Sequence, residues 1–221
     1  MDIFEAMQNR HSVRQYTNKA IETEKIDALT KLIGECNRDS GLHLQLVTNE
    51  PKAFDGTMAH YGKFSGVTSY IALVGSKSVD LEEKCGYYGE KVVLEAQMLG
   101  LNTCWVGLTF SKIPDAFTVN KGEKLVGVIS VGYGTNAGVP HNSKPVEKLC
   151  SVQSEMPDWL RRGMDAAMLA PTAMNQQKFR FALNGNKVAA KAGGGFFTKV
   201  DLGIAKYHFE LGAGKENFEW E

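Results

Sequence analysis

The chain has 221 residues, 43% of them hydrophobic, and its 25 Lys+Arg balance 25 Asp+Glu to a formal net charge of +0. That length supports one large domain or two small ones around a substantial core. The charge balance excludes a general polyanion binder, which needs a strong basic field, so no nucleic-acid partner is expected.

In chain order, Asp2 is placed to cap a short helix running to about Asn9, with Ile3, Phe4 and Met7 on one face. The segment Arg10-His11-Ser12-Val13-Arg14 follows. A second helix fits Glu24 to Cys36, with Thr23 as its N-cap. Leu42 to Val47 alternates as a half-buried strand, with His43 as an ordinary strand histidine. Residues 50–66 carry Pro51, Gly56, Gly62 and Gly66 and read as an irregular loop with at most a helical turn, of a length often used for lids. Tyr70 to Val74 is a continuous apolar run and predicts a central strand. A helix is expected from Tyr87 to Leu99, closed by Gly100. Leu101 to Gly107 reads as a turn or short strand, Ser111 with Pro114 as a short helix, and Lys124 to Val131 as a buried strand.

The run Gly132-Tyr133-Gly134-Thr135-Asn136-Ala137 matches a dinucleotide fingerprint in form only. That motif needs a helix start just behind it, and Gly138, Pro140 and Lys144-Pro145 forbid one here. It therefore reads as a glycine-rich strand exit, from which Lys144 can still reach an anion. Residues 139–155 look like a connector. Pro157 opens a helix to about Leu169, which Pro171 stops. The loop to Gln177 leads into an alternating strand (Phe179, Phe181, Leu183), and Asn184-Gly185 turns the chain back along Lys187 to Ala190. A last helix fits Asp201 to Leu211, and the tail ends in Phe218 and Trp220. The helix–loop–strand order of 1–101 is faintly echoed in 157–213.

Cys36, Cys85, Cys104 and Cys150 have no C-x-x-C spacing and no nearby His, so each reads as a small buried apolar residue and no metal is expected. No apolar run is long enough to span a bilayer, and the start MDIFEAMQNR is polar and amphipathic. A cytoplasmic protein with reduced thiols and no membrane partner is expected.

In an extended segment, side chains two apart share a side, so Arg10, Ser12 and Arg14 converge. Two guanidinium forks and a hydroxyl suit a phosphate-bearing small ligand, because forks match phosphate bidentately. The carboxamides of Asn175 and Gln177 supply both donors and acceptors. The residues alone leave open a phosphate-ligand binding domain without a redox role. No Ser-His-Asp set, carboxylate pair or metal cluster stands out, which fits a protein that positions a cofactor carrying the chemistry itself.

Arg10-His11-Ser12-Val13-Arg14, together with Ala170-Pro171-Thr172-Ala173-Met174-Asn175-Gln176-Gln177 and Gly100-Leu101-Asn102-Thr103-Cys104-Trp105-Val106-Gly107, resembles the FMN-dependent nitroreductase family. There an R-x-S-x-R holds the FMN phosphate and ribityl chain, an A-P-S/T-x-x-N-x-Q loop contacts the flavin, and a segment after a helix ending G-L lies by the ring edge. Gly132-Tyr133 and Lys144-Pro145 are similar to the family's exit strand and its basic residues. Two departures stand out. The A-P-T loop comes last instead of early, as in a branch with rearranged halves, and Gln177 is followed by Lys178-Phe179 where the usual motif continues Pro-Trp.

The resemblance implies an α+β, three-layer nitroreductase-like sandwich with a mixed, mostly antiparallel central sheet flanked by helices. It implies a single nitroreductase-like domain over 1–221, with pseudo-repeated halves of about 1–150 and 151–221. It implies FMN held by Arg10, His11, Ser12, Arg14, Trp105, Val106, Gly107, Lys144, Pro171, Thr172, Asn175 and Gln177, with a backbone N–H near Trp105–Gly107 at flavin N5 and Cys104 packing beside the ring. NAD(P)H would deliver hydride to N5, and an electron-poor small molecule such as a nitroaromatic or quinone would take it. A homodimer with FMN at the subunit interface is implied. The alternative is a flavin-binding redox sensor or storage protein without nitroreductase turnover.

Overall fold

The computed structural model describes residues 1–153 and 155–221. Among the described residues, six α-helices and eight strands give the α+β class expected. The chain divides into two compact units: Met1–Leu81 with Lys91–Pro140, and Glu82–Glu90 with His141–Glu221.

The first unit opens with α1 (Ile3–Asn9), where Asp2 and Glu5 form a reciprocal capping box. α2 (Thr23–Ser40) is longer than its apolar spacing predicts, and Thr23 is its first helical residue while Glu22 holds the cap position. β1 (Gln45–Val47), β2 (Tyr70–Ser76), β3 (Asn102–Val106) and β4 (Glu123–Gly132) form a sheet in the order β1-β2-β4-β3, antiparallel throughout. β2 is buried from Tyr70 to Gly75, as its unbroken apolar run requires. The alternation before β1 holds at Leu42 and Leu44 and then changes phase, so that Val47 and not Leu46 is buried.

The 50–66 segment is no free lid. It folds a 3₁₀ turn (Lys52–Phe54) and α3 (Thr57–Tyr61), and sends Phe54, Ala59 and Phe64 into a cluster with Tyr70, Tyr16 and Val13. The helix expected at Ser111 does not form; residues 114–116 are turns, and Asp115 adopts a left-handed φ of 69°.

α4 (Leu81–Met98) begins six residues earlier than the expected Tyr87 start; its residues 82–90 belong to the second unit and 91–98 to the first. The second unit adds β5 (Cys150–Ser151), α5 (Asp158–Ala167), β6 (Phe179–Asn184), β7 (Lys187–Ala192), α6 (Thr198–Ala213) and β8 (Glu219–Trp220). Its sheet runs β5-β6-β7-β8, with β6 and β7 antiparallel and both edge pairs parallel. The 139–155 connector thus contributes an edge strand, and the aromatic tail contributes the other. Phe218 stacks on Trp159 at 5.8 Å, and Trp220 meets Phe209 at 5.5 Å, so the tail packs inside this unit.

All four cysteines are buried free thiols. No helix among the described residues is long and apolar enough to cross a membrane, and no group of His, Cys, Asp and Glu among them could hold a metal ion.

Candidate functional site

The Arg10–Arg14 segment leaves α1 in extended conformation, with Arg10 at φ −73° and ψ 115°. It completes the open edge of the first sheet. Ser12 bridges Thr103 of β3 in parallel, and Val13 N–H donates to the Thr103 carbonyl at 3.0 Å. Further on, Tyr16 N–H donates to Ser65 O at 2.9 Å and Thr17 N–H to Tyr133 O at 2.8 Å. Val13 and Tyr16 point into the core. The Tyr16 hydroxyl, whose ionisation burial strongly opposes, donates to the Val13 carbonyl at 2.8 Å and shares a 2.8 Å hydrogen bond with Ser130 Oγ. The segment is therefore pinned from both sides.

The strand exit that follows β4 covers the segment. A side-chain carbon added at Gly138, which has φ +73°, would sit 2.7 Å from His11 Cβ and 3.1 Å from Ser12 O. No α-helix follows within reach, since residues 146–148 form only a 3₁₀ turn, so the fingerprint-like run serves as packing.

The two arginines of the segment differ in their exposure. Arg10 is buried at 3% exposure while Arg14 is exposed, its guanidinium 5.9 Å from the Phe64 ring centroid. Both arginines act electrostatically on the buried Cys104 thiol of β3, and Ser12 hydrogen-bonds to it. Burial raises the thiol pKa; Arg14, Ser12 and Arg10 oppose that rise in part. Cys104 is therefore a packed, buried thiol. Trp105 is half-buried, Val106 is buried and Gly107 lies just past the strand end. A concentration of two guanidiniums and a hydroxyl is a donor set suited to a phosphate monoester.

In the second unit, Lys144, Thr172, Asn175 and Gln177 also come together, in a loop held by its own side chains. Gln177 is buried: its Nε2 donates to Asn142 O at 2.8 Å and to Asn175 Oδ1 at 2.7 Å, while its Oε1 accepts from Lys144 N–H at 2.8 Å. Asn175 Nδ2 donates to Asn142 O at 2.8 Å, and Thr172 Oγ1 accepts from Gln177 N–H at 3.0 Å. The Lys144 ammonium caps the carbonyls of Gln176 and Gln177 at 2.6 and 3.2 Å. Pro171 is half-buried at the loop entrance. Met174, Asn175 and Gln177 have φ of 50°, 53° and 43°, left-handed values that cost energy outside glycine. The carboxamides balance that cost by closing the loop.

One residue of this loop assembly escaped the sequence reading. Asp201 on α6 is buried, and accepts from Ala173 N–H at 2.9 Å and from Gln176 Nε2 at 2.7 Å. Burial raises its pKa to about 6, against the lowering by those two donors. Its placement as the presumed first residue of the last helix disguised it. The helix in fact starts at Thr198, which sets Asp201 one turn inside an otherwise buried surface.

The chain matches, over residues 2–213, the model of a family described as "Putative TM nitroreductase". A solved "putative nitroreductase" from Thermotoga maritima is 25% identical, with a TM-score of 0.68 over 99% of this chain and 87% of that one. A "Putative NADH dehydrogenase/NAD(P)H nitroreductase" from Parabacteroides distasonis is 24% identical, with a TM-score of 0.52 over 66% of this chain and 95% of that one. A "putative nitroreductase in complex with fmn" from Desulfovibrio desulfuricans shares the fold at 15% identity, with a TM-score of 0.52 over 71% of this chain and 99% of that one. No curated protein matches.

Proposed function

Because the chain belongs to the nitroreductase family just matched, we propose that it is an FMN-dependent oxidoreductase. On this reading it draws hydride from NAD(P)H and passes it to a small electron-poor compound such as a nitroaromatic or quinone. The observation that supports the reading is that the extended Arg10–Arg14 segment pairs with β3 at Thr103, beside the buried Cys104. Two solved relatives of this fold support it, one described with NAD(P)H and one with FMN.

Bound FMN would supply the capacity to accept and donate hydride at N5. The chain's own part is to hold and orient it. Arg14, exposed and without a carboxylate partner among the described residues, and Arg10 beneath it would grip the phosphate. Ser12 would add a hydroxyl donor and His11 would close the cradle under Gly138. Trp105, Val106 and Gly107 would present strand-end backbone to the ring. The neutral, packed Cys104 thiol would contribute contact and no redox chemistry, since a raised pKa withholds the reactive thiolate.

The Lys144–Gln177 loop is a separate part of the proposal. Because Gln177 spends both amide hydrogens and Asn175 one of its two inside the loop, their role would be to fix its backbone. An Asn175→Ala variant with an unchanged flavin spectrum would remove the loop from the cofactor's surroundings. A homodimer and a cytoplasmic location belong to the same reading; sedimentation and cell fractionation test them.

Anaerobic addition of NADH and NADPH to the purified protein tests the function itself. Bleaching of a flavin absorbance by either, and its return on adding a quinone or nitroaromatic, is expected. A protein that takes up no FMN, or whose flavin stays oxidised with both donors, would overturn the enzyme reading.

A further inference from the structure

The second unit contains a groove of about 430 Å³ whose rim carries Lys144, Lys148, Lys178, Arg180 and Lys191. Leu149, Phe179, Ala192 and Gly193 also line it, with the Leu149 and Phe179 side chains buried. None of the described residues that line it is a carboxylate. None of the five cations is ion-paired among the described residues. In a chain with zero net charge, that concentration is local and one-sided.

The sheet explains how the cations gather. Arg180 of β6 lies directly opposite Lys191 of β7. Residues opposite each other across an antiparallel pair have Cβ atoms about 5 Å apart, and like charges there destabilise. Lys178 shares the Arg180 face two positions earlier, while Phe179 and Phe181 take the buried face. The hydrogen bonds these cations make within the chain go to neutral carbonyls. Arg180 Nη1 donates to Lys148 O at 2.7 Å, which ties the rim together, and Lys178 Nζ donates to Gly194 O at 3.2 Å. Carbonyls orient these heads without neutralising them. Arg180 retains most of its fork, and the Lys148 and Lys191 ammonium groups are exposed.

We propose that this groove is a binding site for a phosphate-bearing, multiply anionic small molecule, its charged groups held by Arg180, Lys191, Lys148 and Lys178. The Arg180–Lys191 repulsion is relieved when an anion lies between them. The groove's size fits a small ligand. This inference goes beyond the flavin reading and does not depend on it. Lys144 and Gln177 are shared with the loop described above, whereas Arg180, Lys191, Lys148 and Lys178 are not.

The test titrates the full-length protein, with whatever flavin it carries, with inorganic pyrophosphate by calorimetry at low salt. Saturable binding is expected, weakening as salt rises. The Arg180→Gln/Lys191→Gln double variant should bind at least tenfold more weakly and keep its flavin content and melting temperature. Competition then identifies the source of the phosphate. Displacement of pyrophosphate by NADPH but not NADH supports a phosphorylated dinucleotide, and displacement by neither supports free phosphate or a smaller ester. No saturable binding, or equal binding by the double variant, would overturn the proposal. Loss of flavin from the double variant would also overturn it, by making the groove part of the flavin site. A wild-type protein that takes up no FMN yet binds pyrophosphate would fail the flavin reading alone.

Discussion

Gln176 Nε2 donates a 2.7 Å hydrogen bond to Asp201 Oδ2, and the same amide donates to Phe196 O at 3.0 Å. Asp201 also accepts from Ala173 N–H, so one buried carboxylate on α6 fixes both ends of the 173–176 turn.

Stability should carry the mark of that carboxylate. Its folded pKa, about 6, lies above its ordinary 3.8, so between these values the folded chain holds a proton that the unfolded chain has released. This group's contribution is therefore greatest below about pH 4, falls as pH rises to about 6 and is level above it, a change on the order of 3 kcal/mol. Asp201→Asn should flatten that segment of the stability–pH curve. Urea unfolding at half-unit intervals from pH 4 to 7.5 measures it, and an identical slope in the variant would show that the carboxylate is already ionised when folded.

Gly138→Ala should disturb the arginine segment from outside it. The added carbon meets His11 at 2.7 Å in a left-handed conformation, two penalties together worth about 1–3 kcal/mol. A lowered melting temperature with weakened FMN retention is expected, whereas an unchanged FMN affinity would detach the strand exit from the cradle.

Tyr16→Phe removes a hydroxyl that joins Val13 O and Ser130 Oγ, both deep in the first unit. A loss of about 1–3 kcal/mol is expected from the partners left unsatisfied. Calorimetric melting checks the size of the loss, and a neutral result would mean that Ser130 recovers a partner such as Cys104 O, now at 3.4 Å.

His208 and Glu90 meet at 2.9 Å with both side chains at 0% exposure, and His208 Nδ1 faces Ala166 O at 3.1 Å. Both imidazole nitrogens thus face acceptors. Removing one partner should cost about 3–5 kcal/mol, while replacing both with leucine should cost less than either single change. Denaturant midpoints of the three variants decide this, and additive losses would contradict a coupled pair.

Much of this architecture could be read from local signals. Asp2 caps its helix, Tyr70–Val74 is a buried strand, and Asn184-Gly185 turns a hairpin. What stayed hidden depends on partners distant in sequence. Gly86 lies in the part of α4 that the expected Tyr87 start left out. A Cβ there would lie 2.1 Å from Val200 O, and one at Gly203 would lie 2.0 Å from Glu83 O, so the two glycines let α4 and α6 pack backbone to backbone. β5 and β8 are two-residue strands with no pattern of their own, created by the neighbours that pair with them. Asp201 carries no motif, and its importance comes from burial against a loop 25 residues away.

The central claim is that Arg10, Ser12 and Arg14 hold a flavin by its phosphate. It is tested most directly by comparing FMN with riboflavin, which lacks only that phosphate, in titrations of the apoprotein and of Arg14→Ala. Each charge-assisted hydrogen bond lost should cost about 1.5–3 kcal/mol, roughly tenfold or more in affinity. The account predicts strong preference for FMN in the wild type and its collapse in Arg14→Ala, with riboflavin affinity unchanged. Equal affinity for the two flavins, or an FMN preference that survives the loss of Arg14, would contradict it.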